Sequence, residues 1–206
     1  MPAQSNKASF QPNCRFKYIA FFKPFQILCQ FSKEQGSEKK TLAEFDFPKN
    51  VYPVGRLDYD SEGLLILTDD ARLNDALLNP KHQHKRTYLA QVERIPEAEA
   101  LKQLCTGVVI EGRKTLPSKA ILIDGEPALP ERDPPIRYRK NIPTSWLQLS
   151  LHEGKNRQVR KMTAAVGHPT LRLVRHSIGE LTLDELNLSP GAWIYLSDEQ
   201  IKCLFK

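Results

Sequence analysis

Cysteine is scarce in this chain of 206 residues and never occurs as a Cys-x-x-Cys pair. This spacing argues against a zinc site and against a small secreted domain held together by disulfides. No apolar run approaches the ~18 residues that a membrane-spanning helix needs. Residues 1–13 are polar and contain no apolar core of a signal peptide. These absences predict a cytoplasmic protein whose cysteine thiols are reduced. The cysteines are Cys14, Cys29, Cys105 and Cys203.

Motifs for cofactors and metals are missing as well. The sequence contains no glycine-rich phosphate loop, no nucleophile elbow and no dinucleotide fingerprint. His82 and His84 have a spacing found in metal sites, but no third ligand lies nearby in the sequence. Asp58, Asp60 and Glu62 lack the glycine and the terminal glutamate of a calcium-binding loop. The sequence therefore predicts neither a metal nor an organic cofactor.

Basic residues outnumber acidic ones, with 30 Lys and Arg against 24 Asp and Glu, which gives a net charge of +6. A moderate positive charge suggests a polyanionic partner without proving one. Hydrophobic residues make up 40% of the chain, an ordinary value for a globular protein, so wholesale disorder is not expected.

Predicted strands and helices are mixed along the chain without strict alternation. Strands are expected at 16–22, at 25–31 as its partner, and at 64–67, 88–92, 108–123 (two short strands), 146–151, 171–178 and 192–196. Helices are expected at 71–78, at 96–105, at 156–167 with Asn156 as its cap, and after Ser197, which forms a capping box with Gln200. This mixture predicts an α+β fold with a mixed, mostly antiparallel sheet and flanking helices, preceded by a flexible tail at 1–14.

An acidic loop attached to an apolar run is the most informative stretch of the chain. Residues 64–67 read LLIL, which predicts a buried strand or a short core element. A charged loop anchored to such an element can hold a reactive side chain still. If the loop is strand-like, residues two apart point the same way. The charged residues of the loop are Arg56, Asp58, Asp60 and Glu62. The alternative is that this loop is only solvated and that its acids pair with the surplus Lys and Arg of the chain.

Two further segments concentrate positive charge. Arg157, Arg160 and Lys161 are three and four residues apart, so a helix would place them on one face. The second segment is the proline-rich loop 127–143, which contains Arg132, Arg137, Tyr138, Arg139 and Lys140. Basic surfaces with aromatic rings suit nucleic acid, because phosphates need cations and bases need a ring to stack on. Simple solvation of each charged surface is the alternative.

Four ordered motifs resemble the pseudouridine synthases of the RsuA type, which isomerise uridines in ribosomal RNA. The segment GRLDYDSEGLLILTDD at 55–70 resembles the central motif of that family. Lys23-Pro24 and the apolar stretch after it resemble the first motif. Arg86-Thr87-Tyr88 resembles a Lys-x-Tyr motif, with Arg in place of Lys. The segment EGKNRQVRKM at 153–162 resembles the last motif, which LRLVRHSIG at 171–179 continues.

The similarity covers 18–196. The segment IPTSWL at 142–147, with the basic loop before it, is most similar to the short RluE branch, which acts on large-subunit ribosomal RNA. The resemblance implies a pseudouridine synthase fold with a central basic cleft and one catalytic domain over 15–206, with no separate N-terminal RNA-binding domain. It also implies an enzyme without a cofactor, whose partner is ribosomal RNA of the large subunit. The oligomeric state is left open by the sequence, and a monomer is the default expectation.

The resemblance implies roles for particular residues. Asp58 corresponds to the catalytic aspartate, and Arg160 to the basic residue that pairs with it and keeps it charged. Tyr88 corresponds to the tyrosine that lies against the target base. Arg56 corresponds to the residue that fills the gap left by the flipped-out uridine. The remaining residues that we expect to bind RNA are Lys155, Arg157, Lys161, Arg137, Arg139 and Arg175.

Two other classes of protein stay open at this point. A non-catalytic RNA-binding protein could keep the fold and lose the chemistry, although the joint presence of Asp58, Tyr88 and Arg160 argues against it. A glycosidase would need two carboxyls facing each other across a sugar. We expect Asp60 to hold the loop through backbone hydrogen bonds instead.

Overall fold

The computed structural model describes residues 15–136 and 142–205. Its strands are β1 (Tyr18–Lys23), β2 (Ile27–Leu28), β3 (Lys40–Thr41), β4 (Tyr52–Pro53), β5 (Glu62–Thr68), β6 (Arg86–Glu93), β7 (Val109–Ile110), β8 (Arg113–Lys114), β9 (Lys119–Ile123), β10 (Thr144–Leu151), β11 (Thr170–Ile178), β12 (Leu181–Thr182) and β13 (Trp193–Tyr195). Its α-helices are α1 (Ala71–Leu78), α2 (Ala98–Thr106), α3 (Gln158–Ala165), α4 (Leu183–Leu186) and α5 (Asp198–Cys203), and short 3-10 helices occur at Leu42–Phe45 and Pro80–His82.

The described residues divide into two compact units. The first contains residues 15–82 and 177–205, and the second contains residues 83–176. The predicted tail at 1–14 lies outside the described residues. Within 15–136 and 142–205, no helix is long and apolar enough to cross a membrane.

Two fully buried strands form the centre of the first unit. β1 pairs antiparallel with β5, from Tyr18 opposite Thr68 to Lys23 opposite Gly63. β13 pairs antiparallel with β1, and the short β4 pairs antiparallel with β5. The runs YIAFFK and LLIL explain this placement, because a strand covered on both faces is apolar throughout rather than alternating. The buried strand predicted at 64–67 is confirmed.

Side chains cap the helices of the first unit. Asp70 accepts a hydrogen bond from the Arg72 amide at 3.0 Å and thereby begins α1. The Arg72 guanidinium lowers the pKa of Asp70 to about 2, with help from the Tyr18 hydroxyl at 2.7 Å and against the effect of burial. The predicted capping box of Ser197 and Gln200 at the start of α5 is confirmed.

The sheet of the second unit has the order β11-β6-β10-β9. β10 pairs antiparallel with both β6 and β9. Because strand residues alternate between faces, every second residue of β6 and β10 faces α2 and α3. The core on that face includes Ala90, Val92, Leu104, Leu147, Leu149, Leu151, Val159, Met162 and Leu173. With few helices and mostly antiparallel pairing, the structure confirms the predicted α+β class.

The strand predicted at 25–31 is wrong in extent and in partner. Only Ile27–Leu28 is a strand, and it pairs in parallel with Lys40–Thr41 rather than with β1. Gln26 has a left-handed φ of 58°, and its amide donates to the Tyr59 carbonyl at 2.8 Å, which turns the chain away from β1.

Two other boundaries differ from the sequence prediction. Asn156 does not cap α3; the cap position is Arg157, in the left-handed region with φ of 52° and without a side-chain capping bond. The segment 108–123 contains a two-stranded hairpin, β7 with β8, followed by a third strand, β9, that joins the larger sheet through β10.

Candidate active site

Asp58 lies in the irregular segment that leads into β5. The residue before it, Leu57, is 6% exposed, and its amide donates to Cys29 Sγ at 3.3 Å. The residue after it, Tyr59, accepts a hydrogen bond from the Gln26 amide at 2.8 Å. Both contacts tie the backbone around Asp58 to the segment that follows β1, while the Asp58 side chain is half-buried.

Lys23, the last residue of β1, is fully buried against this turn. Its ammonium donates to the Ser61 carbonyl at 2.6 Å and to the Pro24 carbonyl at 3.0 Å. The Ser61 amide donates in turn to the Asp58 carbonyl at 3.0 Å. A charged donor makes a stronger hydrogen bond than a neutral one, so Lys23 fixes the backbone that presents Asp58.

Burial lowers the pKa of Lys23 from 10.5 to about 8. Loss of hydration disfavours the ammonium, whereas neighbouring groups that are or become negative favour it. Those groups, in decreasing order of effect, are Cys29, Glu62, Asp60 and Asp58. Lys23 therefore lies close enough to the acids of the loop for their charges to favour its ammonium form.

Arg56 is exposed, whereas Asp58 and Asp60 are half-buried. Neither Arg56 nor Asp58 lies in a strand, and the common direction of their side chains stays a prediction. The backbone is held instead by the turn contacts of Leu57, Tyr59 and Ser61.

Tyr88 lies on β6, half-buried against the core of the second unit. Arg86, two residues earlier, lies on the same face of the strand. Burial lowers the pKa of Arg86, Tyr88 raises it, and the like charge of Arg175 lowers it further. Arg175, on β11, is 3% exposed. In the second unit, Arg86 thus lies near both Tyr88 and Arg175.

Arg160 is half-buried on α3 and is held against the start of β11. Its Nη1 donates to the Thr170 carbonyl at 3.3 Å. The Thr163 hydroxyl donates to the Arg160 carbonyl at 3.2 Å and lies 2.7 Å from the Thr170 hydroxyl. These contacts, all within the second unit, hold the Arg160 guanidinium in place.

Glu153 organises the basic segment before α3. One carboxylate oxygen accepts hydrogen bonds from the Leu116 amide at 2.8 Å and from the Gln158 side chain. The other pairs with the Lys155 ammonium at 3.0 Å, and the Gln158 side chain accepts from the Lys155 amide at 3.0 Å. Burial opposes the charged form, but these hydrogen bonds outweigh it and lower the pKa of Glu153. Lys155 is therefore exposed and paired with a carboxylate.

The other basic residues of this segment differ in their contacts. Arg157 is exposed and precedes the helix. The Lys161 ammonium pairs with Glu111 at 2.8 Å. Of the three residues predicted to share a helix face, Arg157 is the cap residue, whereas Arg160 and Lys161 lie in the helix and contact Thr170 and Glu111.

The proline-rich loop is tied to the sheet by a residue that the sequence motifs did not single out for this role. Arg172, on β11, is 6% exposed and donates from Nη2 to the Pro130 carbonyl at 2.8 Å. The expected RNA-binding residues Arg137 and Arg139 lie outside the described residues.

Lys23 and Glu153 are not apparent from the sequence as centres of these two sites. For Lys23 a signal existed, because a lysine that ends the apolar run YIAFF must find partners if the strand is buried. Glu153 offers no comparable signal, since its partner Leu116 comes from a distant segment.

The sequence matches a family of RNA-modifying isomerases. Residues 17–165 match the family described as RNA pseudouridylate synthase. The chain belongs to this family and is a pseudouridine synthase, which confirms the enzyme class predicted from the motifs.

Individual relatives narrow the relationship. The chain is 52% identical over 164 residues to the ribosomal large subunit pseudouridine synthase E of Xanthomonas axonopodis pv. citri (strain 306), with 80% of this chain and 86% of that protein covered. It is 49% identical over 177 residues to the protein of the same name from Vibrio parahaemolyticus serotype O3:K6 (strain RIMD 2210633), with 86% and 72% covered. These identities confirm the predicted RluE branch.

A solved structure supports the same fold. The crystal structure described as pseudouridylate synthase superposes with a TM-score of 0.76 at 27% identity, covering 92% of this chain and 74% of that one. The roles given to individual residues, including Asp58, Tyr88 and Arg160, stay predictions.

Proposed function

We propose that this chain converts one uridine of large-subunit ribosomal RNA to pseudouridine. The family defines the reaction, and the observation that supports the substrate is the 52% identity with a relative named for the large ribosomal subunit. The net charge of +6 is consistent with an RNA partner. We place the enzyme in the cytoplasm, where it acts as a monomer.

The reaction exchanges one bond of the uridine for another. The bond between the sugar C1′ and the uracil N1 breaks, the base rotates, and a bond forms between C1′ and C5. The hydrogen at C5 leaves as a proton, and N1 gains a proton. Because the uracil is both leaving group and returning group, the reaction needs no oxidant, reductant or cofactor.

Asp58 is the carboxylate that acts on the target nucleotide, as a nucleophile toward the sugar or as a base. The turn around it supports this role. Hydrogen bonds to Leu57 and Tyr59 hold the backbone on both sides, and the buried Lys23 ammonium holds Ser61. A catalytic group must stay within a fraction of an ångström of its productive position, which such contacts provide.

The other motif residues act around this carboxylate. Tyr88 lies against the target base, Arg160 pairs with Asp58, and Arg56 fills the space left by the flipped uridine, a step that requires a few kcal/mol of compensation. The exposure of Arg56 is consistent with contact to RNA. Phosphates are bound by Lys155, Arg157, Lys161, Arg137 and Arg139. Arg175 is 3% exposed, so its contact with RNA requires neighbouring residues to move.

Release of tritium from ribosomal RNA that contains [5-³H]uridine tests the reaction directly, because the C5 hydrogen is lost to solvent. Asp58→Asn keeps the size of the side chain and removes its charge, so we expect RNA binding near normal and a rate reduced by about 10²–10⁴-fold. Asp46→Asn is the matched control, because Asp46 is exposed and its left-handed φ of 47° suits asparagine. Equal turnover by Asp58→Asn and the wild type would exclude the proposed role of Asp58.

A double-mutant cycle tests the pairing of Asp58 with Arg160. If the two residues act as a unit, Arg160→Gln reduces the rate in the wild-type background and adds almost nothing in the Asp58→Asn background. Independent, additive losses would show that the two side chains do not work together.

A further inference from the structure

The sheet of the second unit has a second face, opposite to the one that packs against α2 and α3. Successive strand residues point to opposite faces, so Thr87 lies on the face opposite to Tyr88. Thr87 is paired with Ser150, and Ser150 is paired with Lys119. These three residues form a row across β6, β10 and β9. The Thr87 and Ser150 hydroxyl oxygens lie 2.9 Å apart.

This row lies in an open groove with a volume of about 380 Å³, which we call the polar groove. Its charged and polar lining includes Lys85, Thr87, Lys119, Gln148, Ser150 and His152. Because its strand residues alternate with those of the helix-covered face, the sheet itself separates the polar groove from Tyr88. The polar groove is therefore distinct from the pocket that would hold the target base.

The polar groove carries positive charge without a compensating acid. None of the residues that line it is acidic. Within residues 15–136 and 142–205, neither Lys85 nor Lys119 forms an ion pair with a carboxylate, and the Gln148 side-chain amide makes no hydrogen bond. Glu153, next to His152 in sequence, is directed elsewhere, because its carboxylate binds the Leu116 amide and Lys155.

The chemistry of the polar groove favours a polynucleotide backbone over a small molecule. Pockets for small ligands are mostly apolar and enclosed, whereas this groove is open and lined by hydroxyls, an amide and cations. Two ammonium groups with neighbouring hydroxyl and amide donors match phosphodiester oxygens, which carry charge and accept hydrogen bonds. A groove that crosses three strands also suits an extended chain.

We propose that the polar groove binds the phosphate backbone of the substrate RNA at a segment away from the modified uridine. The identity of the polyanion as that RNA rests on the proposed function. In this arrangement the enzyme contacts RNA on both faces of one sheet, and the second contact requires an RNA longer than the local stem that contains the target.

The test is the double variant Lys85→Gln/Lys119→Gln, compared with Lys102→Gln/Lys202→Gln. The control removes the same charge from exposed lysines, one on α2 and one on α5. We expect the groove variant to bind the full-length substrate RNA about ten-fold more weakly at low salt, and the slope of log affinity against log salt to fall by about 1.5. The control pair is expected to bind like the wild type.

A second measurement uses the wild-type protein, so its result does not depend on whether the variant folds. Acetylation of lysines with an amine-reactive reagent, with and without RNA, is read by mass spectrometry. We expect RNA to protect Lys85 and Lys119 and to leave Lys102 and Lys202 as reactive as before. Inorganic phosphate at the same ionic strength is expected to give no comparable protection.

Three outcomes would overturn the proposal: equal acetylation of Lys85 and Lys119 with and without RNA, affinity of the groove variant equal to that of the control, or full protection by inorganic phosphate alone, which would assign the groove to a free anion. Failure of the proposed function has a different signature. The wild-type protein would then form no pseudouridine in the RNA, whether or not Lys85 and Lys119 were protected.

Discussion

The acidic loop of the first unit and the basic segment of the second unit are stabilised in opposite ways. In the first, one buried cation, Lys23, is directed at the backbone and acids of the loop that presents Asp58. In the second, one carboxylate, Glu153, binds the amide of Leu116 and the side chains of Lys155 and Gln158. In each case a single charge, opposite in sign to most charged residues of its segment, holds that segment through several hydrogen bonds or ion pairs.

The two central charges differ in their exposure to water. Lys23 is 0% exposed, whereas the Glu153 side chain is 14% exposed and its partner Lys155 is 45% exposed. Electrostatic interactions are stronger in a buried site and are screened near the surface. The comparison therefore predicts that changes at Lys23 have larger effects than changes in the basic segment.

Within this comparison of the two segments, the largest effect is expected for Lys23→Met, which replaces the ammonium with an apolar side chain of similar length. Loss of the hydrogen bond to Ser61 releases the turn that presents Asp58, and misplacement of a reacting group by ~1 Å reduces a rate by about 10²-fold. We expect this loss in kcat, measured by tritium release at saturating RNA, with KM nearly unchanged. Lys49→Met, at an exposed lysine of the same unit, is the control. A folded Lys23→Met protein with normal kcat would contradict the role given to Lys23.

The next effect concerns pH and stability. The pKa of Lys23 is about 8 in the folded protein against 10.5 for the ordinary group, so the unfolded chain binds more protons between these values. The free energy of unfolding therefore rises with pH across this window, by about 3 kcal/mol from Lys23 alone. Subtracting the urea-unfolding free energies of Lys23→Met from those of the wild type isolates this contribution. A difference that is constant from pH 8 to 10.5 would show that Lys23 does not titrate as described.

A smaller effect is expected for Glu153→Gln. The neutral amide keeps the shape but loses the ion pair with Lys155 and weakens the bond from the Leu116 amide, so we expect a loss of about 1–2 kcal/mol at pH 7. Because the folded-state pKa is lowered, this stability is present above the ordinary pKa of 4.5 and is lost as pH falls through the lower folded value. Urea unfolding at several pH values measures it. Glu126→Gln, at an exposed position of the same unit, is expected to have no effect.

The smallest effect is expected on RNA affinity, when the exposed Arg157 and Lys155 of the basic segment are replaced one at a time. Arg157→Asn keeps a residue that tolerates the left-handed backbone, and we expect RNA affinity to fall about threefold and the salt slope to decrease by about 0.7–0.9. Lys155→Gln is expected to change affinity less, because its ammonium is already paired with Glu153. Filter binding at several salt concentrations compares the two variants. A larger effect from Lys155→Gln would mean that the pair with Glu153 opens when RNA binds.

Local sequence signals predicted part of this fold well. The buried strand at 64–67, the helix at 71–78 and the capping box of Ser197 with Gln200 depend on a few neighbouring residues, and all three are confirmed. The strand at 25–31 was not predictable in the same way. The segment has the expected apolar residues, but the left-handed backbone at Gln26 and its hydrogen bond to the Tyr59 carbonyl redirect the chain. That hydrogen bond depends on a residue far along the sequence, which a local pattern does not reveal.

The sequence by itself determined the family, the α+β class and the identity of the motif residues, because these depend on ordered local patterns that need no partner. Only the tertiary structure decided which charges are buried and what they contact. Lys23 meets Ser61 across 38 positions of sequence, and Thr87 meets Ser150 across 63. Desolvation and hydrogen bonding depend on distance in space, which strand pairing sets and residue order alone does not reveal.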